Sequence, residues 1–386
     1  MKLNKIIKFD FYFGSLVLIL IKHLVFSIGY ILKRNHDLKV KGNVVIIKLF
    51  GGGSLVIAYA SLLSLKNSLK NHKLIFVGTD STMIYAKELD VFDIFYQIET
   101  ESLFRLVKSS FITLKNLFLQ DTVINLELYS RLSTIFSLLT CARNRIAFHK
   151  DDFFWRKHVE THHVYFNLYS GSYYFYDRII KLLVEKIYNG EDSSINFQKS
   201  FFYKNHIVKS NFLSLAIGCS DLGQERKLDA QQWSMFFQNY FFKSCKEQQI
   251  CIKILGTQVD YKLGEEVIHE MNKLNFNQNK RIIFENKCGE TSFSESLIYI
   301  AKSKQFIGID SGLLHFARLL GIESWSIWGP TAPHTRLRPI NGFKDHILYK
   351  PVFCSPCIHV TETPPCKGNN ICIKSIFDDK DESPIF

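Results

Sequence analysis

At 386 residues the chain is too long for one ordinary hydrophobic core and suits two domains of roughly 150 residues or more each. Its 47% apolar and 22% charged residues exclude a disordered or collagen-like polymer, and nine mostly scattered cysteines argue against a disulfide-stapled secreted scaffold. The net charge is +12, and residues 1–50 carry +7 of it, nine Lys or Arg against Asp10 and Asp37.

A basic segment threaded with apolar residues fits an anionic surface, either phospholipid or nucleic acid. The sequence has no zinc finger, RNP-type aromatic pattern or basic recognition helix, so a membrane surface is the expected partner and nucleic acid is not. Residues 11–32 (FYFGSLVLILIKHLVFSIGYIL) nominally span a bilayer, but Lys22 and His23 stand mid-segment, where charge is costly on a lipid-facing helix. An interfacial helix closed by Lys33 and Arg34 satisfies these features. A true span and a helix buried on the protein's own body are the alternatives. His23-Leu24-Val25 offers no small-residue cleavage site for a signal peptide.

Strand-like and helix-like stretches then alternate. Residues 44–49 (VVIIKL) read as a strand, followed by Gly51-Gly52-Gly53-Ser54 and a helix over 55–69. Residues 73–77 are the next strand, ending at Gly78-Thr79-Asp80, and 121–126 another, leading into a helix over 130–139. The pattern weakens between about 148 and 211, where 173–188 reads as a helix and 190–205 as the crossing between domains. A second alternation has strands at 212–217, 250–255, 281–284, 305–309 and 324–328, with helices at 231–249, 263–274, 293–303 and 313–320. Such alternation predicts an α/β chain of two Rossmann-like domains with parallel sheets, facing across a cleft. The expected divisions are a membrane-associating segment 1–40, domains 41–200 and 201–350, and a cysteine-containing tail 351–386.

Residues 307–321 (IGIDSGLLHFARLLG) are the most informative stretch. A strand ends at Asp310, and Ser311-Gly312 turn into a helix bearing His315. This arrangement offers backbone N–H groups and a positive helix end to an anion, and Gly312 lets a pyrophosphate approach closely. An ordinary βα turn with Asp310 as N-cap is the plainer reading. Residues 324–331 (SWSIWGPT) add a neighbouring strand whose Gly329-Pro330-Thr331 turn emerges at the same sheet edge. Two phosphate-compatible turns side by side are far more specific than one.

The Asp310–Ala317 stretch (DSGLLHFA) with Gly329-Pro330-Thr331 resembles the donor-site signature of glycosyltransferase family 9, the ADP-heptose:lipopolysaccharide heptosyltransferase family. Residues 44–61 are similar to that family's opening strand and glycine turn, and 255–260 (LGTQVD) to its second donor-domain loop. Arg226-Lys227-Leu228 with Trp233 resembles its K-R-W-P element, and the basic N-terminus with Asp10 and Gly14 is similar to many members. The resemblance implies a GT-B fold, an acceptor-binding N-terminal domain, a nucleotide-sugar-binding C-terminal domain, and inverting, metal-independent transfer. It places Ser311, Gly312 and Thr331 on the diphosphate, and Arg226 where a lysine neutralises a phosphate, with Lys227 beside it; a solvated Arg-Lys pair is the alternative. It places Asp260 at the ribose.

One departure bears on catalysis. The family's glycine turn usually continues into an aspartate, the expected general base, and here Ser54 stands in that catalytic position. A serine hydroxyl is far too weak a base to take a sugar's proton unaided. Glu127, just past a strand ending at the same edge, is the candidate replacement, with Asp80 in reserve; the alternative for Glu127 is a charge complementing a helix N-terminus. Gly51, Gly52 and Gly53 would still admit a phosphate to the backbone.

Cys354, Cys357, Cys366 and Cys372 form C-x2-C-x8-C-x5-C, open to a structural zinc, a disulfide or free thiols. Adjacent His162 and His163 would point to opposite faces of a strand and make poor joint ligands. The expected function is transfer of a sugar, heptose by the resemblance, from a nucleotide-diphosphate sugar such as ADP-heptose to an anionic glycolipid of the lipopolysaccharide core or a related surface glycan. No cofactor is expected, and the expected location is cytoplasmic, peripheral on the inner face of the inner membrane. A same-fold transferase with another donor sugar, and a catalytically silent glycan-binding or scaffold protein, are the alternatives.

Overall fold

Runs such as Val44-Val45-Ile46-Ile47 are apolar on both faces, and only a sheet covered on both sides buries them completely. The computed structural model, which describes residues 3–69, 71–150, 154–156, 159–167, 169–219, 221–245, 249–274, 281–358 and 365–378, contains two such sheets. The chain divides into two compact units, Met1–Tyr188 and Asn189–Phe386.

The first unit runs α1 (Leu3–Ile31), β1 (Val44–Ile47), α2 (Gly53–Ile57), α3 (Tyr59–Ser68), β2 (Leu74–Thr79), α4 (Asp80–Leu89), β3 (Ile94–Ile98), α5 (Leu103–Leu117), β4 (Thr122–Asn125), α6 (Arg131–Leu139), β5 (Asn144–His149), β6 (His162–Tyr165) and α7 (Ser172–Lys181). Its six strands are all parallel in the order β3-β2-β1-β4-β5-β6. Val45, Ile47, Ile75, Val77 and Val123 form one apolar sheet face, packed by Leu117 of α5 and Phe136 of α6. The helix expected over 55–69 divides at Ala58 into α2 and α3.

Helix α1 is continuous over 29 residues. Leu18 and Val25 bury against Ile135 and Leu138 of α6, while Tyr12, Leu16, Ile19, Phe26 and Tyr30 stay exposed on the other side. The window Gly14–Ile31 is long and apolar enough to cross a membrane, and 18% of it is buried in the protein.

The second unit runs α8 (Gly190–Lys204), β7 (Leu213–Ala216), α9 (Ala230–Phe236), α10 (Phe242–Ser244), β8 (Gln249–Leu255), α11 (Tyr261–Asn272), β9 (Arg281–Asn286), α12 (Phe293–Lys302), β10 (Gln305–Ile309), α13 (Gly312–Leu319), β11 (Ser324–Trp328), α14 (Pro333–Arg336), β12 (Asp345–Tyr349) and α15 (Ile371–Asp378). Its parallel order, β12-β11-β10-β7-β8-β9, repeats the first unit's winding. In both, the chain reverses direction across the sheet between the first and fourth strands of the unit, the switch point where doubly wound sheets bind ligands.

Two divisions differ from the sequence reading. Residues 190–204 are helix rather than a crossing, and Ser194 Oγ and Gln198 Nε2 donate to the Leu319 and Leu320 carbonyls at 3.0 and 2.8 Å, tying α8 to the second unit. The boundary therefore falls at Tyr188/Asn189 instead of residue 200. Likewise Cys372, Ile373 and Ile376 of α15 are buried in the second core with Trp233 and Phe236, so residues 371–378 are built into that unit.

Candidate functional site

In the second unit β10 and β11 are neighbouring parallel strands, so the turns after Ile309 and Trp328 emerge at one edge. The buried apolar run of β10, Phe306–Ile309, ends where Asp310 and Ser311 interrupt it, and α13 begins at Gly312. The first return bond of α13 runs from His315 N–H to the Ser311 carbonyl at 3.3 Å, leaving the preceding N–H groups without an intrahelical acceptor. Ser311 is the N-cap residue, but its hydroxyl makes no capping bond. Among the described residues its buried Oγ has no hydrogen-bond partner, and neither has the buried Thr331 Oγ1 in the neighbouring turn. Orphaned buried hydroxyls are costly, about 1–3 kcal/mol each, and these two, flanking a helix N-terminus, leave hydrogen-bond donors unmet at one edge.

Around this edge the charges are ordered. Asp310 is 3% exposed. Arg226 Nη1 donates to its carbonyl at 2.8 Å and its Oδ2 at 3.3 Å, and His315 Nε2 lies 3.5 Å from Oδ1. Burial pushes the Asp310 carboxyl up, but Arg226, His315 and Arg336 together outweigh it and hold it far below the usual carboxylate range. Burial pushes the His315 imidazole down, against the pull of Asp310. His315 thus braces Asp310, and Arg226, expected at a phosphate, pairs with Asp310 at the turn itself. Asp260 accepts from Lys227 Nζ at 2.7 Å and from Thr257 N and Oγ1 at 2.9 and 2.8 Å. Burial would raise its carboxyl, but these bonds prevail and lower it. Lys227 is therefore occupied by Asp260 rather than poised beside Arg226.

Sequence reasoning missed Arg336 in α14. Its charge acts on Asp310 and His315, and among the described residues it makes no hydrogen bond or ion pair. The signal was available: a basic residue in the first turn after Gly-Pro-Thr. The Gly-Pro-Thr turn is also clasped from the C-terminal side. Ser355 Oγ donates to the Gly329 carbonyl at 2.7 Å, and the Cys357 and Ile358 N–H groups donate to the Pro330 carbonyl at 3.0 and 3.2 Å.

In the first unit the corresponding edge is the turn after β1. Gly51 has φ +72°, which disfavours any side chain, and a Cβ on Gly52 would lie 2.1 Å from the Tyr85 ring. Gly53 opens α2, and Ser54 Oγ donates to the Gly51 carbonyl at 2.6 Å, so it ties the turn shut. Glu127 is 5% exposed. Its Oε1 accepts from the Leu49 and Phe50 N–H groups, both at 2.7 Å, and its Oε2 from Lys48 Nζ at 3.1 Å. The residue expected to replace the base is thus fully engaged in holding the glycine turn onto β4. Lys48, hidden from sequence reasoning inside an apolar strand run, is its buried counter-ion. Asp80 opens α4 at the same edge, exposed and bonded by Gln97.

The cysteines at the C-terminal end are free thiols. Burial and the neighbouring Cys357 push Cys372 up to about 11. Among the described residues no group of three or more His, Cys, Asp or Glu side chains is placed to hold a metal ion.

Two doubly wound parallel units, with phosphate-type turns at a switch-point edge, are the two halves of the GT-B class of fold. Within that class the match is to one family: residues 224–367 fit the model of glycosyltransferase family 9 (heptosyltransferase), so the resemblance read from Asp310 to Thr331 holds. The chain is 25% identical over 104 residues to lipopolysaccharide heptosyltransferase 2 of Escherichia coli, covering 27% of this chain and 28% of that protein. It is 26% identical over 127 residues to the Salmonella typhimurium enzyme of the same name, covering 30% and 35%. The chain thus spans about a third of the length of the curated relatives it matches. Among solved structures, E. coli ADP-heptose lipopolysaccharide heptosyltransferase II superposes with a TM-score of 0.57 at 14% identity, covering 87% of this chain and 98% of that one. The family 9 glycosyltransferase of Veillonella parvula gives 0.58 at 14% identity, covering 81% and 86%. These superpositions establish the fold.

Proposed function

We propose that this chain is an inverting glycosyltransferase that moves heptose from ADP-heptose to an anionic glycolipid of the lipopolysaccharide core, without a metal, at the cytoplasmic face of a membrane. The observation that carries the reading is the pair of orphaned hydroxyls, Ser311 and Thr331, at two adjacent turns beside the open N-terminus of α13. A diphosphate supplies the acceptors that these hydroxyls and N–H groups lack.

In the reaction the acceptor hydroxyl attacks the anomeric carbon, the bond from that carbon to the diphosphate oxygen breaks, and negative charge grows on the departing nucleoside diphosphate. Without a metal that charge must be met by fixed donors and cations. The α13 N–H groups, Ser311, Thr331 and the uncommitted Arg336 fill this role, while Arg226 and His315 keep Asp310 ionised and in place. In the first unit Glu127, Lys48 and Ser54 position the glycine turn for the acceptor. Asp80, the exposed carboxylate at that edge, receives the acceptor proton. The basic, apolar face of α1 keeps the protein at the membrane that holds the acceptor.

The test is incubation of the purified protein with ADP-heptose and a truncated lipopolysaccharide, in EDTA, read by mass spectrometry. The expected product is heavier by one heptose, and Asp80→Asn lowers its rate by about 10² to 10⁴. Transfer from another nucleotide sugar alone would replace heptose in the reading, and no transfer from any donor would point to a silent binding protein.

A further inference from the structure

Helix α5 is apolar on its outer side as well as its inner one. Ser109, Thr113 and Leu117 form its buried face, with Leu106 and Leu114 packed against the sheet core. Outward stand Phe104, Phe111 and, at the C-cap, Phe118, with exposures of 75%, 69% and 51%. Seven-residue spacing puts these three rings on one stripe of the helix. Lys108 and Lys115 each follow a Phe by four residues, so they share that stripe; both are exposed, and among the described residues neither forms an ion pair. A helix whose outer side faced only water would carry polar residues there rather than three Phe rings. Such an apolar stripe marks an interaction surface.

We propose that α5 is a membrane-docking helix and that its partner is an anionic phospholipid surface. The three Phe rings enter the acyl boundary, while the long Lys108 and Lys115 stems let their ammonium groups stay among the phosphate headgroups. Charge argues for lipid over a second copy of the chain. A symmetric pairing through this stripe would gather the Lys108 and Lys115 charges of both copies in one apolar interface, with no carboxylate on the stripe to meet them. The surroundings agree. Helix α6 packs on both α5 and α1, so α1, whose outer face is also apolar, lies on the same side of the first sheet. The inference stands on α5 itself and depends neither on the transfer reaction nor on how α1 is used.

The test uses the full chain with vesicles of phosphatidylcholine mixed with phosphatidylglycerol, some carrying brominated acyl chains. In Phe111→Trp the added indole emission, measured over the wild-type background, is expected to shift to the blue and be quenched by the bromines. Lys108→Glu with Lys115→Glu lowers partition onto the anionic vesicles by about 30-fold or more. Phe104→Ser, Phe111→Ser and Phe118→Ser together lower it as well, with an unchanged thermal midpoint; should that variant unfold, the indole readout decides. An unquenched indole or an unchanged partition of the lysine variant overturns the proposal. So does a wild-type dimer in light scattering that the serine variant splits, which would make a second copy the occupant.

Discussion

Three donors converge on the buried carboxylate of Glu127: the Leu49 and Phe50 N–H groups that lead into the glycine turn, and the Lys48 ammonium. A carboxylate with its lone pairs so occupied fixes the turn's shape, and it would have to release that turn to accept a substrate proton. Glu127→Gln keeps an acceptor for the N–H pair but aims an amide donor at Lys48 and leaves that ammonium buried without a counter-charge. The expected cost is about 3 kcal/mol, since stripping one partner from a buried pair is far more damaging than losing a surface pair. Urea unfolding of the variant measures it; a variant as stable as the wild type contradicts the positioning role. From sequence, Glu127 could be placed at the correct sheet edge, but nothing in a linear string reveals which lone pairs are taken. The same holds for Asp260, which spends its oxygens on Lys227 and Thr257.

At the scale of elements, legibility followed burial. Strands β1, β10 and β11 are mainly apolar and almost entirely buried, and the turns that follow them are readable from the sequence as phosphate-compatible. Strand β3 escaped because it is only half-buried and carries Gln97. Helix α5 escaped because its Phe residues point outward, so its apolar pattern does not mark the core side. Residues 190–204 looked like a connection because Gly190 and the polar stretch after it suggest loop. Yet Asn189 caps that helix by accepting from the Asp192 N–H at 2.7 Å, and Glu191 and Asp192 complement its N-terminus. Helix α1 rests one face on α6, as the reading of a helix packed on the protein's own body has it, and leaves the other face apolar and exposed. Leu18→Asp would bury a charge against Ile135 and Leu138 and should detach α1 at a cost of about 3 kcal/mol or more. Trypsin cleavage after Lys33 should then accelerate at least tenfold; unchanged cleavage would mean that α1 does not rest on α6 in solution.

Taken as a whole molecule, the chain repeats one winding order twice and places its chemistry unequally. The second unit holds orphaned hydroxyls, an open helix N-terminus and the uncommitted Arg336 at one edge. The first holds a glycine turn locked by its own hydrogen bonds. This division, anion-receiving second unit and turn-bearing first unit, is what the donor and acceptor assignments rest on. It makes nucleotide binding the most direct test of the account. Calorimetric titration of the full chain with ADP, without metal, should give one saturable site with a Kd below about 1 mM. Thr331→Val should weaken it by about 5- to 10-fold while leaving stability equal or higher, because a buried hydroxyl without a partner is removed. Gly312→Val should abolish binding with the fold retained. Equal ADP affinity in the wild type and the Gly312→Val variant would contradict the donor site and, with it, the account.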